Sequence, residues 1–580
     1  MTTTDTKMLR EQIEQSKPKD LILRSFNAFN PIIAKNPDLL LSQLHDHLRT
    51  PLSDSDINNQ TAQEMYSSTF KEYQSSQSSN SEFAVSLGIE GSYGFYSGSV
   101  KASQHSETYK ASTFFSSSYN AFINCGTVSL NQSSGDYKAI RAYLSIELCK
   151  RLDNITSLKE AVDFIQEYGT HLVLGINLGG CIRFKTESQT TDYKSKQETT
   201  LEVEAAYKGV SNISVAAKVS QKLSTASSSS SLMQTIEASG GKSSLVAVLD
   251  PNKPETSVEW ANSCTSETCY GITSSLEIWR LAENDIAKDK LKEYIYLIIL
   301  AQSINYPTIF TAETALSPYN LVSVTAVTGD SHFRIIGGGA SVEKDKSSFL
   351  VNSYPQTDTT GKHINGWIAG SHDIAQPASN DEYLTSYAIA IYDPSYVAGS
   401  EKNLLEVQLQ TKQGGNPNIG ADAAVARIDQ DYLISGGGIQ SYTSRAIQKF
   451  IMRSYPSREG TWTAYNRDYQ TAASDVTLTA YAIGIRSKRT ELTIHQEFVN
   501  PPGVRAEYGE QIATLGDGFA IAGGGVSVKD ATEEGNLVQQ SFPASYNSWK
   551  EYNKDHDGRV SSAVSAAYAI GFKASLDFSK

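Results

Sequence analysis

Two acidic runs are the first places to look for chemistry: "DSDIN" (Asp54–Asn58) and "DHDG" (Asp555–Gly558). A calcium loop needs oxygen ligands at fixed steps, glycine at its sixth position and glutamate at its twelfth, and neither run keeps that frame. The chain carries no P-loop, HExxH or GxSxG pattern and no nucleophile–base arrangement. His171 is a lone histidine without a catalytic partner, so it reads as a packing and hydrogen-bonding residue. The five cysteines, Cys125, Cys149, Cys181, Cys264 and Cys269, form no zinc-like spacing. Free thiols are the expected state, although Cys264 and Cys269 are close enough in sequence to bridge across a turn. Trp367, Trp462 and Trp549 are each followed at the sixth position by Asp373, Asp468 and Asp555. The simpler reading of these residues is a packed core; the alternative is sugar recognition, with an aromatic platform beside a polar clamp. The expectation is a protein that is not an enzyme and uses no metal or cofactor.

Bulk properties narrow the partners. The formal net charge is -13 and the pI about 5.3, which argues against nucleic acid as a partner and against polybasic attraction to anionic lipid. The N-terminal stretch "MTTTDTKMLREQIEQSKPKD" has no apolar h-region. The longest apolar run, "YIYLIILA" (Tyr294–Ala301), is far shorter than the roughly 18–20 residues of a membrane-crossing helix. The chain is therefore expected to be soluble and released without a recognisable signal peptide.

The elements divide near residue 320, giving expected domains 1–318 and 319–580. Before the division, helices and strands mix. "SLKEAVDFIQEYG" (Ser157–Gly169) has helical apolar spacing, and Ser157 with Glu160 makes a capping box. A buried helix follows over Asp285–Ile304. After the division strand signals dominate in three repeats, about 330–393, 430–487 and 517–574. Each has a glycine triplet (Gly337–Gly339, Gly436–Gly438, Gly523–Gly525), a "SYP" or "SFP" step, the Trp–Asp pair and a "YAI" strand. Three β-rich units close most simply around a pseudo-threefold axis with each repeat supplying one sheet, a β-prism. The triplets then mark close backbone approach or sharp bends.

The segment "YGTHLVLGINLGG" (Tyr168–Gly180) resembles the signature of the membrane attack complex/perforin (MACPF) family: Tyr168, Gly169, Thr170 and His171, then Gly179 and Gly180. Leu172 departs from the family's usual aromatic. "LILRSFNAFNP" (Leu21–Pro31) is similar to the family's opening strand, and "EASGGKSSL" (Glu237–Leu245) to its closing glycine-rich turn. With its three-repeat tail the chain most resembles bacterial insecticidal members; apicomplexan members have a cysteine-rich tail, and this one has no cysteine. The resemblance implies an α+β MACPF/CDC-like domain, with a bent central antiparallel sheet and flanking helical clusters, followed by an all-β, pseudo-threefold β-prism-like domain.

It also implies two segments per subunit that become membrane-spanning β-hairpins. In the first, Phe83, Val85, Leu87, Ile89, Tyr93 and Phe95 alternate with small or polar residues. In the second, Leu201, Val203, Ala205 and Tyr207 form one alternating run and Ile213, Val215, Ala217 and Val219 another. Alternation gives a strand one face for lipid and one for water, although a half-buried surface sheet alternates identically. Glu90, Glu202, Glu204, Lys208 and Lys218 would line a hydrated lumen. In the stored state the family folds these segments as small helical clusters. The resemblance implies a monomer in solution that becomes a homo-oligomeric ring on a target-cell membrane, through a lipid, glycan or protein receptor that the sequence does not identify. The alternative is a binding protein of the same fold, an adhesin or lectin-like surface protein, that never inserts.

Overall fold

The computed structural model describes residues 17–30, 37–73, 87, 115–131, 136–188, 213, 216–219, 232–250, 252–317, 320–342, 348–361, 363–373, 383–414, 421–442, 449–458, 460–468, 477–506, 508–529, 536–555 and 563–579. They fall into two compact units, one running to Ile295 and the other Tyr296–Phe578. The division lies inside the helix Asp285–Asn305.

The first unit is built on one antiparallel sheet of seven strands: β1 Ser25–Phe26, β2 Ile57–Gln60, β3 Tyr66–Tyr73, β4 Phe115–Leu130, β5 His171–Ser188, β6 Leu232–Gly240 and β7 Cys269–Glu277. β4 and β5 are its long central pair, in register from Phe115↔Ser188 to Ser129↔Gly175. The helix Leu158–Tyr168 enters β5 with the expected capping box: Glu160 N–H donates to Ser157 Oγ at 3.2 Å, and Ser157 N–H donates to Glu160 Oε2 at 3.0 Å. It buries Ala161, Val162, Phe164, Ile165 and Tyr168. Among the described residues of the expected opening strand over Leu21–Pro31, only Ser25–Phe26 is strand, preceded by a 3-10 turn at Pro18–Leu21. Proline starts that turn, and Leu23 at φ 60 breaks the extended chain before β1.

The second unit is all strand beyond Asn305 among the described residues. The first repeat brings β8 Thr308–Ala315, β9 Val322–Val327, β10 Phe333–Val342, β11 Ser348–Thr357, β12 Ile364–Asp373 and β13 Tyr383–Tyr392. The second brings β14 Leu405–Gly414, β15 Ala421–Arg427, β16 Leu433–Tyr442, β17 Lys449–Arg458, β18 Thr461–Asp468 and β19 Thr477–Ser487. The third brings β20 Leu492–Val499, β21 Val504–Ala506, β22 Tyr508–Thr514, β23 Ala520–Lys529, β24 Leu537–Ser545, β25 Ser548–Lys554 and β26 Ala563–Leu576.

One expectation is corrected here: a repeat does not supply one sheet. The orders are β22-β25-β24-β10-β13-β8, β14-β19-β16-β11-β12-β9 and β15-β18-β17-β23-β26-β20, so every sheet joins half of one repeat to half of another. The joints are Ala340↔Ser541, Ser353↔Ile439 and Ser454↔Val526, which link the first repeat to the third, the second to the first and the third to the second. The ring of exchanges closes.

The glycine triplets make this possible. The β-bulges at Ile335/Gly337, Ile434/Gly436 and Ile521/Gly523 open each triplet. A Cβ on Gly337 would stand 2.2 Å from Ala522 O, on Gly436 2.8 Å from Gly337 Cα, and on Gly523 2.4 Å from Ser435 O, so the first glycines of the three repeats meet one another. The second glycines, Gly338, Gly437 and Gly524, each lie under the tryptophan of their own repeat, with an added Cβ 2.3 Å from the indole. The third glycines, Gly339, Gly438 and Gly525, face the joining strand of a neighbouring repeat at Ser541 O, Ser353 O and Ser454 O. No side chain fits at any of the three steps.

Candidate functional site

The signature residues tie β5 to the strand beside it. Gly169, at φ 77, ends the helix, and a Cβ there would stand 2.6 Å from Phe26 O. Thr170 is fully buried; its N–H donates to Phe26 O at 2.8 Å, its Oγ1 accepts from Ala28 N–H at 3.0 Å, and its carbonyl accepts from Ile278 N–H at 2.9 Å. His171 is buried, with its ring 5.5 Å from Phe26 and edge-on to Trp279 at 5.8 Å. Burial first, and the nearby Arg280 charge second, hold its pKa well below the usual histidine range. The folded chain therefore keeps His171 neutral where the unfolded chain would protonate it. Its stabilising contribution is present above about pH 6.5 and is lost as pH falls below that value. His171→Phe is expected to flatten the acid side of the first unit's stability profile; an unchanged acid slope in thermal unfolding from pH 7 to 5 would contradict this.

Gly179 and Gly180 mark a line where the sheet changes partners. Along β5, His171–Leu178 pairs with β7, and Gly180–Ser188 pairs with β6. Along β4 the change comes at the same level: Ser116–Ile123 pairs with β3, and Thr127–Leu130 with β2. A bulge between Asn124 and Gly126 lies opposite Gly179. Gly179 sits at φ 116, and a Cβ there would stand 1.9 Å from Ile123 O. Its N–H donates to Thr268 O at 2.7 Å, and its carbonyl accepts from Thr268 Oγ1 at 2.8 Å. Gly180 lies beneath Trp260 and Cys264, and Trp260 Nε1 donates to Gly240 O at 2.9 Å. Gly126, Trp260 and Thr268 complete this seam, and nothing in their sequence spacing singles them out. A seam of glycines under one buried indole lets the sheet bend without breaking its central pair.

A model of the MAC/Perforin domain matches residues 52–276, which takes in β2 to β6 and nearly all of β7. The chain carries a MAC/Perforin domain. Among solved structures it is similar to GNIP1Aa from Chromobacterium piscinae (13% identity, 87% of this chain and 89% of that one, TM-score 0.31). It is also similar to a putative cell invasion protein with a MAC/Perforin domain from Bacteroides thetaiotaomicron (12% identity, 48% and 61%, TM-score 0.31) and to pneumolysin (12% identity, 58% and 58%, TM-score 0.15). The comparison with curated proteins gives no match.

Above the seam, four strands of the MAC/Perforin domain run side by side as β3-β4-β5-β6, and their far ends share one edge: Tyr73↔Ser116, Phe115↔Ser188 and Ser188↔Leu232. Side chains alternate across this part of the sheet. Tyr119, Ala121, Ile123, Ile182, Phe184 and Ala238 pack on one face in a single cluster with Trp260. The alternate positions Ser118, Asn120, Arg183, Lys185 and Glu237 make the other face polar, with Arg183 ion-paired to Glu237.

Both expected hairpin segments leave the sheet at that edge, one between β3 and β4 and the other between β5 and β6. In the first, Leu87 is fully buried, and its carbonyl accepts from Ile272 N–H at 2.6 Å; Phe83, Val85, Ile89, Tyr93 and Phe95 lie outside the described residues. In the second, Ile213 and Ala216–Val219 are helical, with Ile213, Ala216, Ala217 and Val219 packed on the apolar face of the sheet and Lys218 exposed. Leu201, Val203, Ala205, Tyr207 and Val215 lie outside the described residues, as do Glu90, Glu202, Glu204 and Lys208.

The repeat tryptophans are core. Trp367, Trp462 and Trp549 are no more than 1% exposed, and their Nε1 atoms donate to Ser353, Ser454 and Ser541 Oγ at 3.0, 3.0 and 3.1 Å. An aromatic platform has to present a face to its ligand, and these indoles present theirs to glycine. Asp373 accepts from Ser348 Oγ and Asp555 from Asn536 Nδ2, each across a strand pair; Asp468 stands opposite Lys449 in the same register, with its side chain outside the description. The five cysteines are free thiols, and burial pushes the Cys264 and Cys269 pKa values up to about 12. Among the described residues no group of acidic, histidine or cysteine side chains is arranged to hold a metal ion, and no helix is long and apolar enough to cross a membrane; the latter says nothing of strands.

Proposed function

We propose that this chain is a pore-forming protein whose MAC/Perforin domain inserts two β-hairpins per subunit. The supporting observation is the shared edge of β3, β4, β5 and β6. Two segments of roughly forty residues leave it, each joining neighbouring antiparallel strands. If both extend, the existing registers continue outward, and a membrane-crossing strand needs only about 9–11 residues. The sheet already separates an apolar face from one carrying Arg183, Lys185 and Glu237, the division a barrel strand needs. The helical packing of Ile213 and Ala216–Val219 puts apolar side chains of an alternating run against the sheet. Alternation suits a helix poorly, so such packing is displaceable.

Assembly precedes insertion in this reading. Transfer of roughly eight apolar side chains at about 1.5 kcal/mol each supplies on the order of 10 kcal/mol per subunit. One subunit brings four strands, and each unpaired backbone group at their edges costs several kcal/mol in lipid. A closed ring removes those edges. The second unit serves as the part that finds the target membrane, and the whole acts as a toxin, with an insect target carried by resemblance. Dye release from liposomes of target-tissue lipid, with the same samples imaged, is expected to show leakage together with rings. Membrane binding without leakage at any protein concentration would leave the alternative of a non-lytic binding protein.

A further inference from the structure

Glu551 is the odd residue of the threefold tail. Two positions after each core tryptophan, the first and second repeats carry Ala369 and Ala464, both fully buried. Their cross-strand partners are Val324 and Ala424. The third repeat carries Glu551 opposite Gln511, with Asn553 next on the same face. Glu551 is 0% exposed, Asn553 and Ser565 1%. Ser565 reaches this layer from β26, and a Cβ on Gly509 of β22 would stand 2.4 Å from its Oγ and 2.5 Å from Asn553 Nδ2. Asn553 Nδ2 donates to Glu551 Oε2 at 3.2 Å. Glu551 Oε1 and Asn553 Oδ1 have no hydrogen-bond partner among the described residues, and Glu551 has no ion pair there.

A buried carboxylate without a counter-charge is unstable and is neutralised by a proton or a cation. One carboxylate with an amide and a hydroxyl falls short of the six to eight oxygens of a hard cation. A proton on Glu551 removes its charge and adds a donor to a layer where Asn553 Oδ1 is an unpartnered acceptor. We propose that Glu551 is a proton-held latch that fixes the edge strand β22 to its neighbour β25, closed when Glu551 is protonated and loosened when it ionises. The groups facing it explain the direction. Burial raises its pKa to about 7, the Glu510 charge on β22 adds to this, and Asn553 and Ser565 oppose it. Glu510 is itself paired with Lys550 at 2.9 Å. The residue opposite on β24, Ser541, is neutral, as is Ser565 on β26. A carboxyl held above its usual value near 4.5 gives the folded chain the extra proton between that value and about 7. Stability is therefore lost as pH rises through that window, the reverse of the His171 effect. β22 exposes Tyr508 (55%) and Ile512 (50%) on its outer face, so loosening it changes an apolar edge of the unit.

The test is hydrogen exchange on the full chain at pH 5.5, 7 and 8.5, corrected for the intrinsic rate. Protection of Tyr508–Thr514 is expected to fall about tenfold or more across that range in the wild type, since the pH passes more than one unit beyond the pKa. It should stay level in Glu551→Gln and in Glu551→Ala, the latter restoring the residue that the sister repeats carry. A pH-independent wild type, or the same fall in both variants, would overturn the latch.

Discussion

Gly179→Val is expected to cost the first unit about 4 kcal/mol or more, and to lower its thermal midpoint by roughly 10 °C or prevent soluble expression. Two penalties combine there. A branched side chain resists φ 116, and its Cβ would stand 1.9 Å from Ile123 O, a backbone atom held in the central strand pair. The carbonyl also cannot retreat, because Ile123 is paired through β4 to both neighbouring strands. A control separates the penalties. Gly329 has φ 68 but nothing within 4 Å of an added Cβ, so Gly329→Ala should cost only about 1 kcal/mol. Equal losses for the two variants in thermal unfolding would mean that the seam is not a close-packed bend.

Trp462→Ala is expected to destabilise the second unit by about 3–5 kcal/mol. The indole is 1% exposed, covers Gly437 and donates to Ser454 Oγ at 3.0 Å. Its removal leaves a cavity over a glycine that cannot fill it. The exchange of strands between repeats makes the loss non-local. β18, which carries Trp462, shares a sheet with β23 and β26 of the third repeat, and β16 of the second repeat shares one with β11 of the first. Hydrogen exchange should therefore quicken in strands of all three repeats, while the first unit keeps its protection. Loss confined to β15, β17 and β18 would contradict the closed exchange.

Much of this was legible in the chain, for identifiable reasons. The Leu158–Tyr168 helix could be read because its cap is local, with Ser157 and Glu160 three residues apart. The seam is marked in the sequence by Gly179 and Gly180 of the signature but not by Gly126 or Trp260, which meet it only through pairing across the sheet. The three repeats were plain from matched offsets. Their exchange of half-sheets was not, because strand alternation is the same whichever strand lies alongside. The Trp–Asp offset invited a ligand site. The structure gives the tryptophan to its own repeat's glycine and the aspartate to the strand opposite, so the spacing reflects one strand's geometry. Nothing in the immediate sequence of Glu551 marks it; only its alignment with Ala369 and Ala464 does.

The central claim is that the segments leaving the β3–β6 edge must come away from the sheet for membranes to leak. Ala217 and Ile182 belong to one packed cluster, on the helical turn and on β5. Cysteines at both positions, with the cross-link verified by mass, would tie the second segment down reversibly. Dye release from liposomes should be abolished in the oxidised double variant, with membrane binding retained, and should return on reduction. Equal leakage from the oxidised and reduced forms would contradict insertion by this segment.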